Sequence, residues 1–373
     1  MKVDWDPLEA ETGEELFPVY GELRVRCPVA HTSAYGGFWT FTRYDDIVEV
    51  AKDTETFESR QPFVERPGTP EFIPLSTNGE RHTYFRRLLA PYFTPARIRA
   101  LEPGLAAGRS DLAADVAGPL PARVLCAFLN VPDGEWVAMK ELSRLVAGVL
   151  GQGPEAQVEV TRAFLDKAAE LVAERRRSPL DPNEDVFSGL LGAERDGEPL
   201  DDATIAQIGW QLIAAGHSTT TRALTVAIHH LATHPGAQQR LRANRELIAV
   251  AVEELLRIGP PLHLLGRHVT RTVERHGELL HEGELVGLAF AAGNFDEDAF
   301  PDAGVCDLAR KPNRHLTFGI GPHICIGAPL ARLELRVVID ELLDRTSSFE
   351  LDGKAVPTTG LKSGYDRLPV RFA

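Results

Sequence analysis

The sequence predicts a mainly α chain with a small β region, organised as one domain. Three observations point there. Ala- and Leu-rich stretches with apolar residues three and four apart dominate from about residue 79 to 258 and again from about 326 to 345. Runs with strand character are confined to about 38–42, 267–288 and 349–372. No Gly/Ser linker, internal repeat or low-complexity tract divides the 373 residues, although that length alone would allow two or three average domains.

Taken in order, Phe38-Trp39-Thr40-Phe41-Thr42 reads as a strand, and Tyr44–Lys52 follows as a helix with Ile47, Val48 and Ala51 on one face. Residues 61–78 are rich in Pro, Thr and Gly and carry isolated apolar side chains such as Phe63, Phe72 and Ile73. A loop of that length inside a domain is often functional. The boldest helix runs from an N-cap at Asp201 or Asp202 to His234, where Pro235 stops it. Its apolar positions Ile205, Ile208, Leu212, Ala215 and Thr219 recur at steps of three and four. As one uninterrupted helix it would be on the order of 48 Å long. Glu246–Ile258 is a second firm helix, ended by Gly259-Pro260-Pro261. A β-rich stretch from Arg267 to Leu288, an irregular meander from about 293 to 324, a helix from about 326 to 345 and a terminal hairpin complete the chain.

Composition narrows the function. With 40 basic and 54 acidic residues the net charge is −14, which argues against a nucleic-acid binder. No apolar run approaches the roughly 18–20 residues that span a bilayer, and the polar start of the chain does not read as a signal peptide. Cys27, Cys126, Cys306 and Cys325 show neither zinc-type pairing nor a disulfide framework, so the chain reads as cytoplasmic with reduced thiols.

The decisive segment is Phe318-Gly319-Ile320-Gly321-Pro322-His323-Ile324-Cys325-Ile326-Gly327, directly before the helical pattern Ala328–Leu335. A cysteine at a helix N-terminus meets free N–H groups and partial positive charge, both of which favour the thiolate. Gly319 and Gly321 allow a tight turn, and Gly327 lets backbone approach a bulky group. Two plainer readings compete: a buried structural cysteine, and a Cys325/His323 nucleophile pair, for which no third orienting group is identifiable.

At every defined position this segment resembles the Phe-Gly-x-Gly-x-His-x-Cys-x-Gly heme loop of the cytochrome P450 family. The resemblance implies a soluble bacterial-type heme-thiolate monooxygenase that holds heme b (iron protoporphyrin IX) through Cys325. It covers the chain from about Cys27 to Phe372 and is strongest between 210 and 336.

Other residues join the pattern. Glu254 and Arg257, at helical i, i+3 spacing, match the family's structural Glu-x-x-Arg pair. The arginine usual in the following meander is replaced by Val305, leaving Arg310 or His315 to complete the network. His82 and Arg86, at i, i+4, resemble the family's propionate clamp, and Arg267 and His323 resemble two further propionate contacts. Ala215-Gly216-His217-Ser218-Thr219 resembles the distorted distal-helix element. There Gly216 leaves room for O2 and Thr219 orders a proton-carrying water, but Ser218 stands where relatives have Asp or Glu. Either Ser218 relays protons or it simply packs, with His217, another acid or solvent supplying them. Asn294-Phe295-Asp296 departs from the Asn-Arg-Asp of many relatives.

By position in the family, a substrate pocket draws on Phe63, Phe72, Gln211, His263, Leu361 and Lys362. His263 and Lys362 are polar candidates for an oxygenated or anionic group, or else they point to solvent. No flavin or nicotinamide fingerprint is present, so electrons are expected from a separate ferredoxin and ferredoxin reductase. Arg332 and Arg336 offer a local basic patch or an ordinary solvated face. The expected reaction inserts one oxygen of O2 into a small organic substrate of secondary metabolism, by hydroxylation, epoxidation or O-dealkylation. The alternatives are a peroxide-driven or oxidative-coupling enzyme and a non-catalytic heme protein.

Overall fold

The computed structural model describes residues 5–60, 62–64, 71–106, 117–148 and 154–373, and its contacts divide the chain into two compact units. The first takes in the described residues up to 64 together with 220–373; the second takes in 71–106 and 117–219.

In chain order the helices are α1 (Leu16–Arg26), α2 (Tyr44–Lys52), α3 (Gly79–Leu89), α4 (Pro95–Ala106), α5 (Pro119–Phe128), α6 (Trp136–Gly148), α7 (Pro154–Arg177) and α8 (Val186–Leu191). They continue with α9 (Asp202–Ala215), α10 (Ser218–Thr233), α11 (Pro235–Ala243), α12 (Ile248–Ile258), α13 (Phe290–Asn294) and α14 (Ala328–Arg345). Among the described residues no helix is long and apolar enough to cross a membrane.

The first unit is built around a five-stranded sheet of Val29–Thr32, Phe38–Phe41, Leu285–Leu288, Leu265–Val269 and Phe57–Glu58, in that spatial order. Phe38–Phe41 pairs antiparallel with Val29–Thr32 and parallel with Leu285–Leu288, setting Trp39 opposite Val286 and Phe41 opposite Leu288. The α2 stripe of Ile47, Val50 and Ala51 buries against Phe41, Phe57, Val286, Leu288, Phe290 and Leu316. This is the amphipathic helix expected at 44–52, with Val50 in place of Val48 as a fully buried member. Its first turn is capped from a distance, because Asp296 Oδ2 accepts the Tyr44 N–H at 2.8 Å. The expected terminal hairpin is two short antiparallel pairs, Phe349–Leu351 with Val370–Phe372 and Val356–Pro357 with Tyr365–Arg367.

In the second unit α7, α8 and α9 pack together, burying Phe164, Ala168, Leu171, Val172, Phe187, Ile205, Ile208 and Ile213. Asp201 is the N-cap of α9, accepting the Thr204 N–H at 2.6 Å.

One expectation needs correction. The helix read as continuous from 201 to 234 is two helices, α9 and α10, with a turn at Gly216–His217. Apolar periodicity runs through the turn and so hides it. What registers it is local bonding: the buried His217 places Nε2 3.0 Å from the Gly118 carbonyl.

Candidate active site

The Cys325 loop is a closed backbone structure. The Cys325 N–H donates to the Phe318 carbonyl at 2.8 Å, Ile324 N–H to Gly321 at 3.1 Å and Gly319 N–H to Leu316 at 2.8 Å. Gly319 and Gly321 adopt φ of 69° and 78°, where a side chain would be strained. Gly321 also lies so close to the end of α2 that a Cβ would come within 2.8 Å of the Ala51 carbonyl. These constraints hold Cys325 exposed, three residues ahead of α14, whose N-terminal end carries the positive end of the helix dipole. Gly327 is the N-cap of α14, and a Cβ there would meet only Sγ of Cys325, at 3.8 Å. The reading of Cys325 as a buried structural cysteine is therefore set aside. Cys126 is the one cysteine that is buried, and burial pushes its thiol up to about 11.

Behind the loop lies a buried charge network. Arg257 donates from Nε and Nη2 to the two oxygens of Glu254, both at 2.8 Å, and both side chains are fully enclosed. The other donors of Arg257 reach the carbonyls of Asn294, Ala303 and Val305. A buried pair stands only when its remaining donors and acceptors are met, and here they are. Arg310 fills the place that Val305 leaves open. Its Nε lies 3.1 Å from both Glu254 oxygens, and its Nη atoms hold the carbonyls of Pro301, Asp302 and Val305. His315 instead meets Glu253 at 3.2 Å.

Sequence reasoning missed Glu253. Burial opposes its ionisation, but hydrogen bonds from His315 and Arg332 hold the carboxyl down to about 2. Arg332 forks onto it with two contacts of 2.8 Å, and its guanidinium lies over the Phe318 ring at 4.5 Å. Arg332 is thus a tie between α12, α14 and the Cys325 loop, not a free member of a basic patch. Asn294 adds another tie. It donates to the Arg257 carbonyl and the Thr317 hydroxyl and accepts the Leu316 N–H, while Phe295 turns its ring toward Phe17.

Arg267 is different from these. It is 2% exposed, and among the described residues its Nη1 meets only the Gly266 carbonyl at 2.7 Å and its Nε has no partner. Desolvation, with no opposing charge, pushes the guanidinium down to about 10. An enclosed cation without an anion is costly, and an anionic group such as a heme propionate is what would neutralise it. The residues present therefore fit the heme that the sequence led us to expect. His323 belongs to the same unit and is half-buried in the Cys325 loop.

The second unit carries the other expected residues. His82 is buried and Arg86 half-buried one turn later on α3. At the α9–α10 turn, the Thr219 hydroxyl donates back to the Ala215 carbonyl at 2.9 Å. Ser218 begins α10 and is half-buried. Gly216 gives up its side chain to packing as much as to space, since a Cβ would lie 2.8 Å from the Leu212 carbonyl and 2.9 Å from Leu125.

Of the expected pocket residues, Gln211 on α9 and Phe72 on the 61–78 loop tie that loop to α9. Gln211 accepts the Leu75 N–H at 3.1 Å, and the Phe72 ring packs on Trp210 with centroids 3.9 Å apart. Trp210 was not anticipated. Phe63 is half-buried, and residues 61 and 65–70 of that loop lie outside the described residues.

His263 and Lys362 do not point to solvent: they are 0% and 4% exposed. The ring nitrogens of His263 face Ser363 Oγ at 2.9 Å and the Tyr20 hydroxyl at 3.4 Å, with Phe17 alongside. Both nitrogens of His263 thus face partners inside the protein. Leu361 is buried beside it, accepting the His263 N–H at 3.0 Å.

Comparison with known proteins accounts for this arrangement. A cytochrome P450 family model matches residues 125–364. The chain is 34% identical to nocardicin C N-oxygenase of Nocardia uniformis subsp. tsuyamanensis, covering 92% of this chain and 90% of that one. It is 32% identical to cyclomarin C epoxidase CymV of Salinispora arenicola, covering 92% of each. Its fold matches a solved structure of a mutant of P450 EryK in complex with erythromycin B at a TM-score of 0.87, with 29% identity and 97% of each chain covered. A thiol held open at a glycine-rich loop, backed by a fully satisfied Glu-Arg network, is thus the form that one known architecture takes here: the chain belongs to the cytochrome P450 family of heme-binding monooxygenases.

Proposed function

We propose that this enzyme, working as one heme-thiolate domain, inserts a single oxygen atom from O2 into a small organic substrate of secondary metabolism. Hydroxylation, epoxidation and O-dealkylation are the reactions expected of it. The observation that carries the reading is Cys325, exposed at the end of a rigid loop and just ahead of the N-terminus of α14. That setting favours the thiolate a heme ligand must be.

Heme b, when bound, supplies the chemistry of O2 binding and reductive cleavage. The residues of the chain do the rest. Cys325 ligates the iron, and Phe318, Gly319 and Gly327 shape the loop around its sulfur. Arg267, His323, His82 and Arg86 neutralise the propionates, a role supported most directly by the enclosed guanidinium of Arg267, which has no acidic partner among the described residues. Thr219 donates its hydroxyl hydrogen to the Ala215 carbonyl, so its lone pairs are left to accept a hydrogen bond from water. A water held that way keeps its second hydrogen free to pass on. Ser218 assists from the next position. Ala215 and Gly216 form the turn that places them.

Electrons come from a ferredoxin and its reductase in the cytoplasm, consistent with the absence of any nicotinamide or flavin fingerprint in the sequence. Relatives that N-oxygenate nocardicin C or epoxidise cyclomarin C support a natural-product substrate. A second reading, oxidation driven by hydrogen peroxide, rests on one observation: Ser218 stands where relatives carry an acid that helps proton delivery.

Turnover of a spectrally shifting ligand under 18O2 separates the two. Ferredoxin, reductase and NADPH should yield product carrying one 18O atom, with little product from hydrogen peroxide alone. Product formed only with peroxide, and without label from 18O2, would replace the first reading by the second.

A further inference from the structure

The end of α10 carries His229 and His230, and His234 directly follows it as the N-cap of α11; the proposed monooxygenase chemistry uses none of the three. His229 is committed elsewhere. Its ring stacks on Tyr365 with centroids 4.2 Å apart, and its Nδ1 meets the Tyr365 hydroxyl at 3.0 Å. His230 and His234 stack on each other, with centroids 4.1 Å apart and planes 16° from parallel.

The decisive detail is the tautomer of His234. Its Nδ1 lies 2.8 Å from the His230 carbonyl oxygen, a contact only an N–H can make. Nδ1 therefore carries the hydrogen and Nε2 the lone pair. Histidines that bind metals are typically prepared in this way, with the second ring nitrogen donating to a backbone carbonyl. The Thr233 hydroxyl, 3.0 Å from the same Nδ1, holds the ring from the other side. Among the described residues neither His234 Nε2 nor either ring nitrogen of His230 has a hydrogen-bond partner. His234 is exposed and His230 half-buried, so both rings can be reached from solvent.

Position adds to chemistry. The pair lies at the short junction between two helices, with His230 in the last turn of α10 and His234 the N-cap of α11. No group of three or more His, Cys, Asp or Glu residues forms a metal cluster among the described residues. A ligand held here would therefore see two imidazoles, no carboxylate and water. Mg2+ and Ca2+ need oxygen donors and are poorly served, whereas borderline transition ions take imidazole readily.

We propose that His230 and His234 form a two-nitrogen site for a divalent transition-metal ion, preferring Cu2+ over Ni2+ and Zn2+. Nitrogens on one ion sit about 2.0–2.1 Å from it, so binding turns the two stacked rings until their free nitrogens face one ion. Water completes the coordination, so the ion exchanges freely instead of holding the fold together.

The test is a Cu2+ titration of the full-length, untagged, heme-loaded protein, read by calorimetry and by the nitrogen hyperfine splitting of the Cu2+ electron paramagnetic resonance signal. The unmodified protein should show a site with two nitrogen ligands, weaker for Ni2+ and Zn2+ and absent for Mg2+. His230→Ala and His234→Ala should each weaken it by about tenfold or more, while His281→Ala, at an exposed histidine elsewhere, should leave it intact. His234 is itself exposed, so its variant should fold normally even if the one at His230 does not. Unchanged Cu2+ affinity in His234→Ala, or a signal with fewer than two nitrogens in the unmodified protein, would overturn the proposal.

Discussion

Arg310 lies with its Nε 3.1 Å from both carboxylate oxygens of Glu254, fifty-six positions earlier in the chain. It takes over from the arginine that many relatives carry nearer the start of the meander, where this chain has Val305. The exchange leaves the Val305 carbonyl in service, accepting from both Arg257 and Arg310. The meander is thus held by backbone carbonyls around one buried carboxylate. Charge-assisted hydrogen bonds of this kind contribute about 1.5–3 kcal/mol each. Arg310→Ala should lower stability by at least about that much, measured by denaturant unfolding, and Arg310→Lys should restore little because one ammonium cannot span the same fork of acceptors. A loss under about 0.5 kcal/mol, the range of an ordinary surface change, would show that Arg310 is dispensable.

Whether Arg310 or His315 would fill this role was open in the sequence, for a physical reason. The acceptors that select Arg310 are carbonyls of Pro301, Asp302 and Val305, and carbonyls leave no mark on residue identity. The Cys325 loop was legible because its geometry demands particular residues in one short window, with glycine where φ is positive. The break between α9 and α10 was not, since the spacing of Ile205, Ile208, Leu212 and Thr219 passes through it unchanged. His263 was visible as an unusual polar residue, but its direction depends on Tyr20 and Ser363, which lie far away in the chain. Glu253 and Arg332 were separated in the same way.

Arg267 should behave oppositely in the heme-free and heme-loaded protein. Without an anion, its guanidinium is held charged at a cost on the order of 3 kcal/mol, from a pKa pushed down to about 10 by burial. Arg267→Met removes that cost, so the heme-free variant should unfold at higher denaturant than the heme-free parent. The loaded variant should release heme to an acceptor such as apomyoglobin at least about tenfold faster. A heme-free variant less stable than its parent, with unchanged heme release, would refute the propionate assignment.

Thr219→Val keeps the shape of the side chain and removes the hydroxyl that bonds to Ala215. Stability should change by about 1 kcal/mol or less, with heme content unaltered. Product formed per NADPH consumed should fall by roughly tenfold or more, within the range of lost proton-transfer assistance. Full coupling in the variant would remove Thr219 from proton delivery.

His263 gives the protein an acid-sensitive element. Burial pushes its imidazole from the ordinary 6.5 down to about 3, so the unfolded chain binds a proton between those values that the folded chain refuses. The folded pKa is the lower one, so the contribution to stability is whole above about pH 6.5 and is lost as pH falls toward 3, at up to about 1.4 kcal/mol per pH unit. His263→Gln should flatten the unfolding free energy across that window while costing stability at pH 7. An unchanged pH slope in the variant would mean that the imidazole is already solvated in the folded protein.

The central claim is ligation through Cys325, and the absorption spectrum of the reduced protein under carbon monoxide tests it most directly. The account predicts the red-shifted Soret band of thiolate-ligated heme, absent in Cys325→Ala. A band of the histidine-ligated type in the unmodified protein, or a red-shifted band that survives Cys325→Ala, would contradict it.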